Sequence, residues 1–335
     1  MPAWAGVNAG VVRGEAVSGG LTNQLLRLSA GPERPILLLR LYGADMGLFV
    51  DRALEVAVIV QANAAGLGAP VLASFANGRF ELFFTSAVTA HPADVPRAPL
   101  FHCIPRLMRR VHERMQLGGD RDPQQFKTMR RWLQECHEQA QAKGGGLGEW
   151  FDLQAWRAEA DWMEALCARV GSPVCFCHND IHALNVMIGV EKGGEEEGGT
   201  RVQLIDFEYG SFGNRGFDLG NSFNEWCGFE CRGELYPSEA QRREFCQMYL
   251  GEGAEAGETD RLLLEAEAFS LVSHLFWGAW GILKGLTAEG GGEDFDYTAY
   301  ARRRWEWYLC RKPEVSALLG AAPPAAAPPS VTLDP

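Results

Sequence analysis

An α+β protein of two unequal parts is predicted: a small antiparallel β-sheet with one helix, followed by a larger, mainly helical portion. Three observations carry this prediction. Residues 1–90 hold short apolar or β-branched runs bounded by Gly, Pro or Asn, with one helix-period stretch among them. Beyond Phe84 the apolar spacing switches to the helical period over long segments. Two brief strand-like bursts then interrupt the helices, and each is followed within three residues by an aspartate. Expected boundaries are 1–86 for the first lobe, 87–312 for the second and 313–335 for a disordered tail, Ala/Pro-rich from Ala321.

In chain order, strands are expected within Glu15–Leu28, Pro35–Tyr42, Val71–Phe75 and Arg79–Phe84. A helix is expected over Asp51–Ala64, where an N-cap Asp precedes Ala, Leu, Val and Ile at near-helical spacing. Phe101–Met115, Phe126–Ala142 and Trp156–Val170 read as amphipathic helices. Leu262–Gly285 is apolar on nearly every side and suited to burial. The bursts Val174–Cys177 and Arg201–Ile205 read as strands, with the acidic, glycine-rich Gly193–Gly199 as a flexible hairpin tip. Glycine runs at 144–146 and 290–292 read as surface loops.

Composition narrows the function classes. With 31 Lys+Arg against 43 Asp+Glu, the formal net charge of -12 repels polyanions, so no nucleic-acid partner is expected and a small cation is the easier substrate. The apolar stretch Ala268–Leu283 contains Ser270, Ser273 and His274, so no integral membrane association is expected. Met1–Gly10 lacks the basic start and apolar run of a secretory signal, which predicts a cytoplasmic protein with its nine cysteines as thiols.

Chemistry concentrates in His178-Asn179-Asp180-Ile181-His182-Ala183-Leu184-Asn185 and, on the next strand, Ile205-Asp206-Phe207-Glu208. Two acids and an Asn at adjoining strand ends can meet around one magnesium ion while Asp180 accepts a proton. That set suits a hydroxyl attacking the γ-phosphate of ATP, which needs positioning, charge neutralisation and a proton acceptor. The Asp180-to-Asn185 spacing equals that between the catalytic acid and the metal-binding Asn in the kinase pattern H-R-D-L-x-x-x-N. Asp206 takes the place of the D-F-G aspartate, with Glu208 where that motif has glycine. Upstream, Ser18-Gly19-Gly20-Leu21-Thr22-Asn23 is a turn whose glycines let backbone amides approach phosphate, though neither a P-loop pattern nor a following helix is present. Arg40 lies inside the apolar strand Leu37–Gly43 and requires a partner.

Phe176–Asp180, Asn185, Ile205–Tyr209, Arg215-Gly216-Phe217-Asp218-Leu219-Gly220-Asn221 and Phe223–Trp226 together resemble the choline/ethanolamine kinase family. The resemblance runs from about Ser18 to Lys312, densest between Val174 and Trp226. It implies a protein-kinase-like bilobal fold, ATP and Mg²⁺, and phosphorylation of a small amino alcohol. Asp180 would be the general base, Asn185, Asp206 and Glu208 the metal ligands, and Asp218 a supporting acid. ATP would meet Ser18, Gly19, Gly20, Thr22 and Asn23, and Arg40 ion-paired to Glu55. Adenine would reach a hinge near Glu81–Phe84, including Leu82 and Phe84.

For the acceptor the resemblance implies aromatic walls and acids: Asp180, Tyr209, Glu225, Trp226, Trp277, Trp280 and Tyr300. Trp277 and Trp280 share a helical face, and indole faces attract cations. Asn224 before Glu225, with Leu235-Tyr236-Pro237 following, resembles the ethanolamine kinase version, whereas Leu38–Gly43 and Asp206–Tyr209 resemble choline kinases equally. The expected reaction is ethanolamine to phosphoethanolamine, the first step of the CDP-ethanolamine route to phosphatidylethanolamine. Choline or dual use, and a catalytically inactive scaffold, are the alternatives; a homodimer is a possible assembly.

Two readings are set aside. Cys175, Cys177 and His178 with Cys227 and Cys231 could suggest zinc, but the two thiols of Cys-x-Cys are expected on opposite strand faces. The run Arg302-Arg303-Arg304 is taken as a solvated helix face.

Overall fold

The computed structural model describes residues 2–17, 23–43, 47–118, 120–143, 150–287 and 295–320. The glycine runs at 144–146 and 290–292 and the stretch from Ala321 onward lie outside those residues. Among the described residues, β1 (Arg13–Val17), β2 (Asn23–Ser29), β3 (Leu37–Tyr42), β4 (Val71–Phe75) and β5 (Gly78–Leu82) form one antiparallel sheet in the order β1-β2-β3-β5-β4. Its register sets Arg40 of β3 directly opposite Arg79 of β5. Where β5 starts, a Cβ on Gly78 would lie 2.4 Å from the Arg40 carbonyl oxygen, so the close approach of the two strands requires glycine. Helix α1 (Arg52–Ala64) falls between β3 and β4 in the chain and buries Val58 and Ala62.

The second part opens with β6 (Val88–Thr89), followed by α2 (Leu100–Arg114), α3 (Gln125–Ala142) and α4 (Leu153–Val170). Asp152 caps α4 by accepting from the Gln154 and Ala155 amides, and Gly171 closes it at φ 68°. Next come β7 (Val174–Cys177), β8 (Val186–Ile188), β9 (Glu195–Glu197), β10 (Thr200–Leu204) and β11 (Ser211–Asn214). They pair as a sheet ordered β6-β8-β10-β9 and a ribbon of β7 with β11. Helices α5 (Arg215–Glu225), α6 (Glu239–Leu250), α7 (Ala256–Thr287) and α8 (Tyr297–Leu318) complete the lobe.

As its all-round apolarity predicts, α7 is the central post, packed by α3, α4, α5, α6 and α8. Its Phe269, Leu271, Val272 and Leu275 are fully buried, each side chain contributing about 1.5–3 kcal/mol relative to exposure. Gly220 lets α5 touch it: a Cβ there would lie 2.4 Å from the Ser270 amide nitrogen.

Two expectations are corrected. The tail does not begin at residue 313, because α8 continues through Pro313 to Leu318 and buries Val315 and Ser316. The expected hairpin at Gly193–Gly199 is present but its tip is shorter: Glu195–Glu197 pair with Thr200–Val202, leaving Gly198 and Gly199 as the turn. Arg106 bonds Glu197 at 2.8 Å and Arg110 pairs with Glu195, so α2 holds these acids in place. No helix among the described residues is long and apolar enough to cross a membrane.

Candidate active site

The site is assembled where β7 and β10 end. After Cys177 the chain turns through Asn179, which adopts φ 66°, a left-handed conformation costly for most side chains but accessible to Asn. Asp218, fully buried on α5, accepts the amides of His178 at 2.8 Å and Asn179 at 2.7 Å and so fixes the turn. His178 Nδ1 accepts the Asp180 amide at 3.3 Å, which assigns the proton to Nε2, donated to the Ile205 carbonyl at 3.0 Å. One histidine thus joins the two strand ends.

Asp180 is held in turn. Its Oδ2 accepts from Asn185 Nδ2 at 2.9 Å and lies 3.5 Å from His182 Nε2. His182 Nδ1 accepts the Leu184 amide at 3.2 Å, leaving Nε2 as the donor toward Asp180. With the Asn185 amide group committed to Asp180, its carbonyl oxygen is the atom that remains for a cation.

Asp206 follows β10 and also adopts a left-handed φ, 63°. Arg40 Nη1 donates to its Oδ2 at 3.0 Å. Burial opposes ionisation of Asp206, yet Arg40 and Arg79 outweigh it and hold the carboxyl below its ordinary range. Glu208, bonded by Asn23 at 3.0 Å, is pushed up to about 7 by burial and by the Asp206 charge. The Asp206 charge therefore acts directly on the Glu208 carboxyl.

A cavity of about 650 Å³ runs between the lobes. Leu25, Leu38, Ile59, Leu82, Phe83 and Phe84 supply an apolar end, the last two from the segment just past β5. Arg40, Asp180, Asn185, Asp206 and Glu208 line the middle, and Tyr209, Glu225, Phe229, Trp277, Trp280 and Tyr300 the other end. Trp277 and Trp280 meet edge to face at 5.6 Å, and Trp280 Nε1 donates to the Tyr209 hydroxyl at 2.9 Å.

Not every expected residue reaches this cavity. Ser18, Gly19, Gly20 and Thr22 lie outside the described residues. Trp226 does not line it: one residue past Glu225 turns the side chain onto another face, where it meets Phe101 at 5.9 Å in the core. The expected Arg40–Glu55 pair is replaced by three others. Glu55 pairs with Arg79, whereas Arg40 reaches Asp206 at 3.0 Å and Glu81 at 3.5 Å, because β5 inserts a second arginine beside α1. Arg304, taken as solvated, is buried and bonds Glu225 at 2.6 Å, so helix α8 supplies a charge to the acceptor end.

The choline/ethanolamine kinase family model matches residues 15–309. The chain belongs to that family. It is 30% identical to a probable ethanolamine kinase of Arabidopsis thaliana, covering 94% of this chain and 84% of that one. It is 31% identical to a choline/ethanolamine kinase of Homo sapiens, again over 94% and 84%. Among solved structures, a Plasmodium vivax ethanolamine kinase superposes with a TM-score of 0.78 at 24% identity, covering 89% of this chain and 82% of that one. The two-lobed kinase-like fold follows from this likeness.

Within this kinase, Arg79, His182 and Phe229 line the site without having been singled out for it in the sequence, and Arg304 supports it although its run reads as a solvated face. Arg79 could have been found from its place beyond the Asn77-Gly78 turn, which sets it across from Arg40. Arg304 lies on the same face of α8 as Tyr300, to whose hydroxyl its Nε donates at 3.0 Å, so its burial follows from the spacing to an aromatic. His182 and Phe229 carry no local signal.

Proposed function

We propose that this kinase transfers the γ-phosphoryl group of ATP to the hydroxyl of ethanolamine, releasing phosphoethanolamine and ADP. The observation that carries the reading is the meeting of Asp180, Asn185, Asp206 and Glu208 in one cleft between an apolar ring-sized end and an aromatic end. These residues fit magnesium. Asp206 Oδ1 is buried with no hydrogen-bond partner among the described residues, and burial together with the Asp206 charge pushes Glu208 up to about 7, both of which a divalent ion would relieve. Asn185, Asp206 and Glu208 would hold Mg²⁺, which when bound neutralises charge on the transferring phosphates.

The chain's own residues do the rest. Arg40, fixed by Asp206 and Glu81, presents a guanidinium to the phosphates from the sheet side. Asp180 accepts the hydroxyl proton, its orientation set by Asn185 and His182. Leu82 at the end of β5, with Phe83 and Phe84 just past it, forms the surface against which the adenine rests.

At the acceptor end Tyr209, Trp277, Trp280 and Tyr300 surround the ammonium, and Glu225 offers a carboxylate. An N–H donor gains from the oxygens of Asp180, Glu225 and Tyr209, which a trimethylammonium cannot use. Choline is the second reading, favoured by the aromatic lining and by Arg304, which already neutralises Glu225. A coupled assay of ADP release with Mg²⁺ and each alcohol tests both. The proposal requires a higher kcat/KM for ethanolamine; equal or higher efficiency with choline selects the second reading, and turnover of neither rejects both.

A further inference from the structure

Behind the catalytic turn lies a group that this reaction does not use. Residues i and i+2 of a strand share a face, so the expectation that Cys175 and Cys177 diverge is wrong: their Sγ atoms lie 3.8 Å apart. From α2, His112 brings a ring nitrogen to the same place, and one ligand atom from each of the three residues lies within 4.8 Å of the others. The partners weighed from sequence do not take part. His178 is occupied by Ile205 and Asp180, and the three-residue group contains neither Cys227 nor Cys231.

Two thiolates each about 2.3 Å from a tetrahedral ion stand about 3.8 Å apart, which is the separation found here. Asp218 supplies the support that metal-bound imidazoles commonly have, its Oδ2 lying 2.9 Å from His112 Nε2. The other ring nitrogen meets the Tyr249 hydroxyl at 2.7 Å, so ligation exchanges one of these two bonds for the ion. Cys177 and the His112 ring are buried, while Cys175 is half-buried and faces the route from solvent. One of the two thiols is also chemically unlike the rest. Burial pushes Cys103, Cys136, Cys167, Cys177, Cys227, Cys231 and Cys246 up, whereas the hydrogen bond with Cys177 and the charge of His112 bring Cys175 down to about 6.

We propose that His112, Cys175 and Cys177 form a site for a borderline-soft divalent cation of the zinc type, with water completing the coordination. The ion ties α2 to β7 at the point where the chain enters the catalytic turn. Through Asp218, which holds His112 and the His178 and Asn179 amides together, it stiffens the loop that carries Asp180. The site is separate from the magnesium-binding acids and does not depend on which alcohol is phosphorylated.

Cobalt(II) is the probe, because thiolate ligation gives it an ultraviolet charge-transfer band and tetrahedral geometry gives strong visible absorption. The full chain, purified under reductant and stripped with a chelator, is titrated with Co²⁺ and then with Zn²⁺. The expected result is both absorptions saturating near one ion per chain and displaced by stoichiometric zinc, with a higher Tm for the loaded protein. Cys175→Ser and Cys177→Ser abolish the charge-transfer band, Cys227→Ser and Cys231→Ser keep it, and Asp218→Asn weakens binding about 10–100-fold. A folded, active wild-type protein that gives only the weak spectrum of octahedral cobalt overturns the proposal, as does a band that survives in the Cys175→Ser/Cys177→Ser double variant. So does a Cys175–Cys177 disulfide found by mass spectrometry in the reduced preparation. The decisive spectrum is that of the wild type, so a variant that fails to fold does not shield the proposal.

Discussion

Arg79 of β5, and not Arg40 of β3, holds Glu55 of α1. Both side chains of that pair are almost wholly buried, and the arginine also bonds Glu81. Removing the arginine takes this buried cation away from Glu55 and Glu81 in a low-dielectric setting, a change that costs about 3–5 kcal/mol. Arg79→Met is therefore expected to lower Tm sharply. The double variant Arg79→Met/Glu55→Met should recover most of that loss in a denaturation series; equal losses in single and double variants would show that the pair is not the cause.

At the acceptor end, Glu225→Gln removes charge from a wall of the cavity while keeping its shape. A hydrogen bond to a charged group is worth about 1.5–3 kcal/mol, so kcat/KM for ethanolamine should fall about 10–100-fold. Choline, which donates no N–H, should lose less. Steady-state kinetics with both alcohols check this, and a parallel loss for the two would remove Glu225 from substrate recognition.

Gly220 is where α5 touches α7. A Cβ would lie 2.4 Å from the Ser270 amide nitrogen and 2.5 Å from the Ala266 carbonyl oxygen, backbone atoms that cannot swing aside. Gly220→Ala should cost about 3 kcal/mol or more, at the upper end of overpacking penalties. Chemical denaturation measures it; a cost under about 1 kcal/mol would mean that the helices separate freely.

His274, buried on α7 and near Arg304 and Arg311, has its pKa lowered well below 6.5, by burial first and then by those charges. The unfolded chain therefore binds a proton that the folded chain refuses. Stability is complete above pH 6.5 and falls as pH drops below it, by about 1.4 kcal/mol per pH unit until the folded-state pKa is reached. His274→Gln should flatten this part of the profile of Tm against pH between 7 and 5, whereas an unchanged slope would assign the acid lability to other groups.

Much of the fold was legible because its signals are local. The strand runs of the first lobe, the helix at Asp51–Ala64 and the apolar α7 are set by periodicity alone, and the Asp180–Asn185 and Asp206–Glu208 segments by spacing. What escaped depends on pairing across the chain. The partner of Arg40 is decided by a register that brings in Arg79, and the burial of Arg304 by the docking of α8 onto the Glu225 end of α5. Trp226 shows the converse: its neighbour faces the cavity, but one step along the helix sends the indole to Phe101 in the core. The Cys-x-Cys pair was misjudged by misapplying strand alternation rather than for lack of signal.

The account rests on Asp180 and Asp206 serving one cleft in different roles, the first accepting a proton and the second holding charge. The most direct test compares purified wild type, Asp180→Asn and Asp206→Asn in single-turnover phosphorylation of ethanolamine by ATP with Mg²⁺, at matched thermal stability. The predicted result is a loss of at least about 100-fold in the chemical step for each variant, with a higher Mg²⁺ requirement confined to Asp206→Asn. Near wild-type turnover by either folded variant would contradict it.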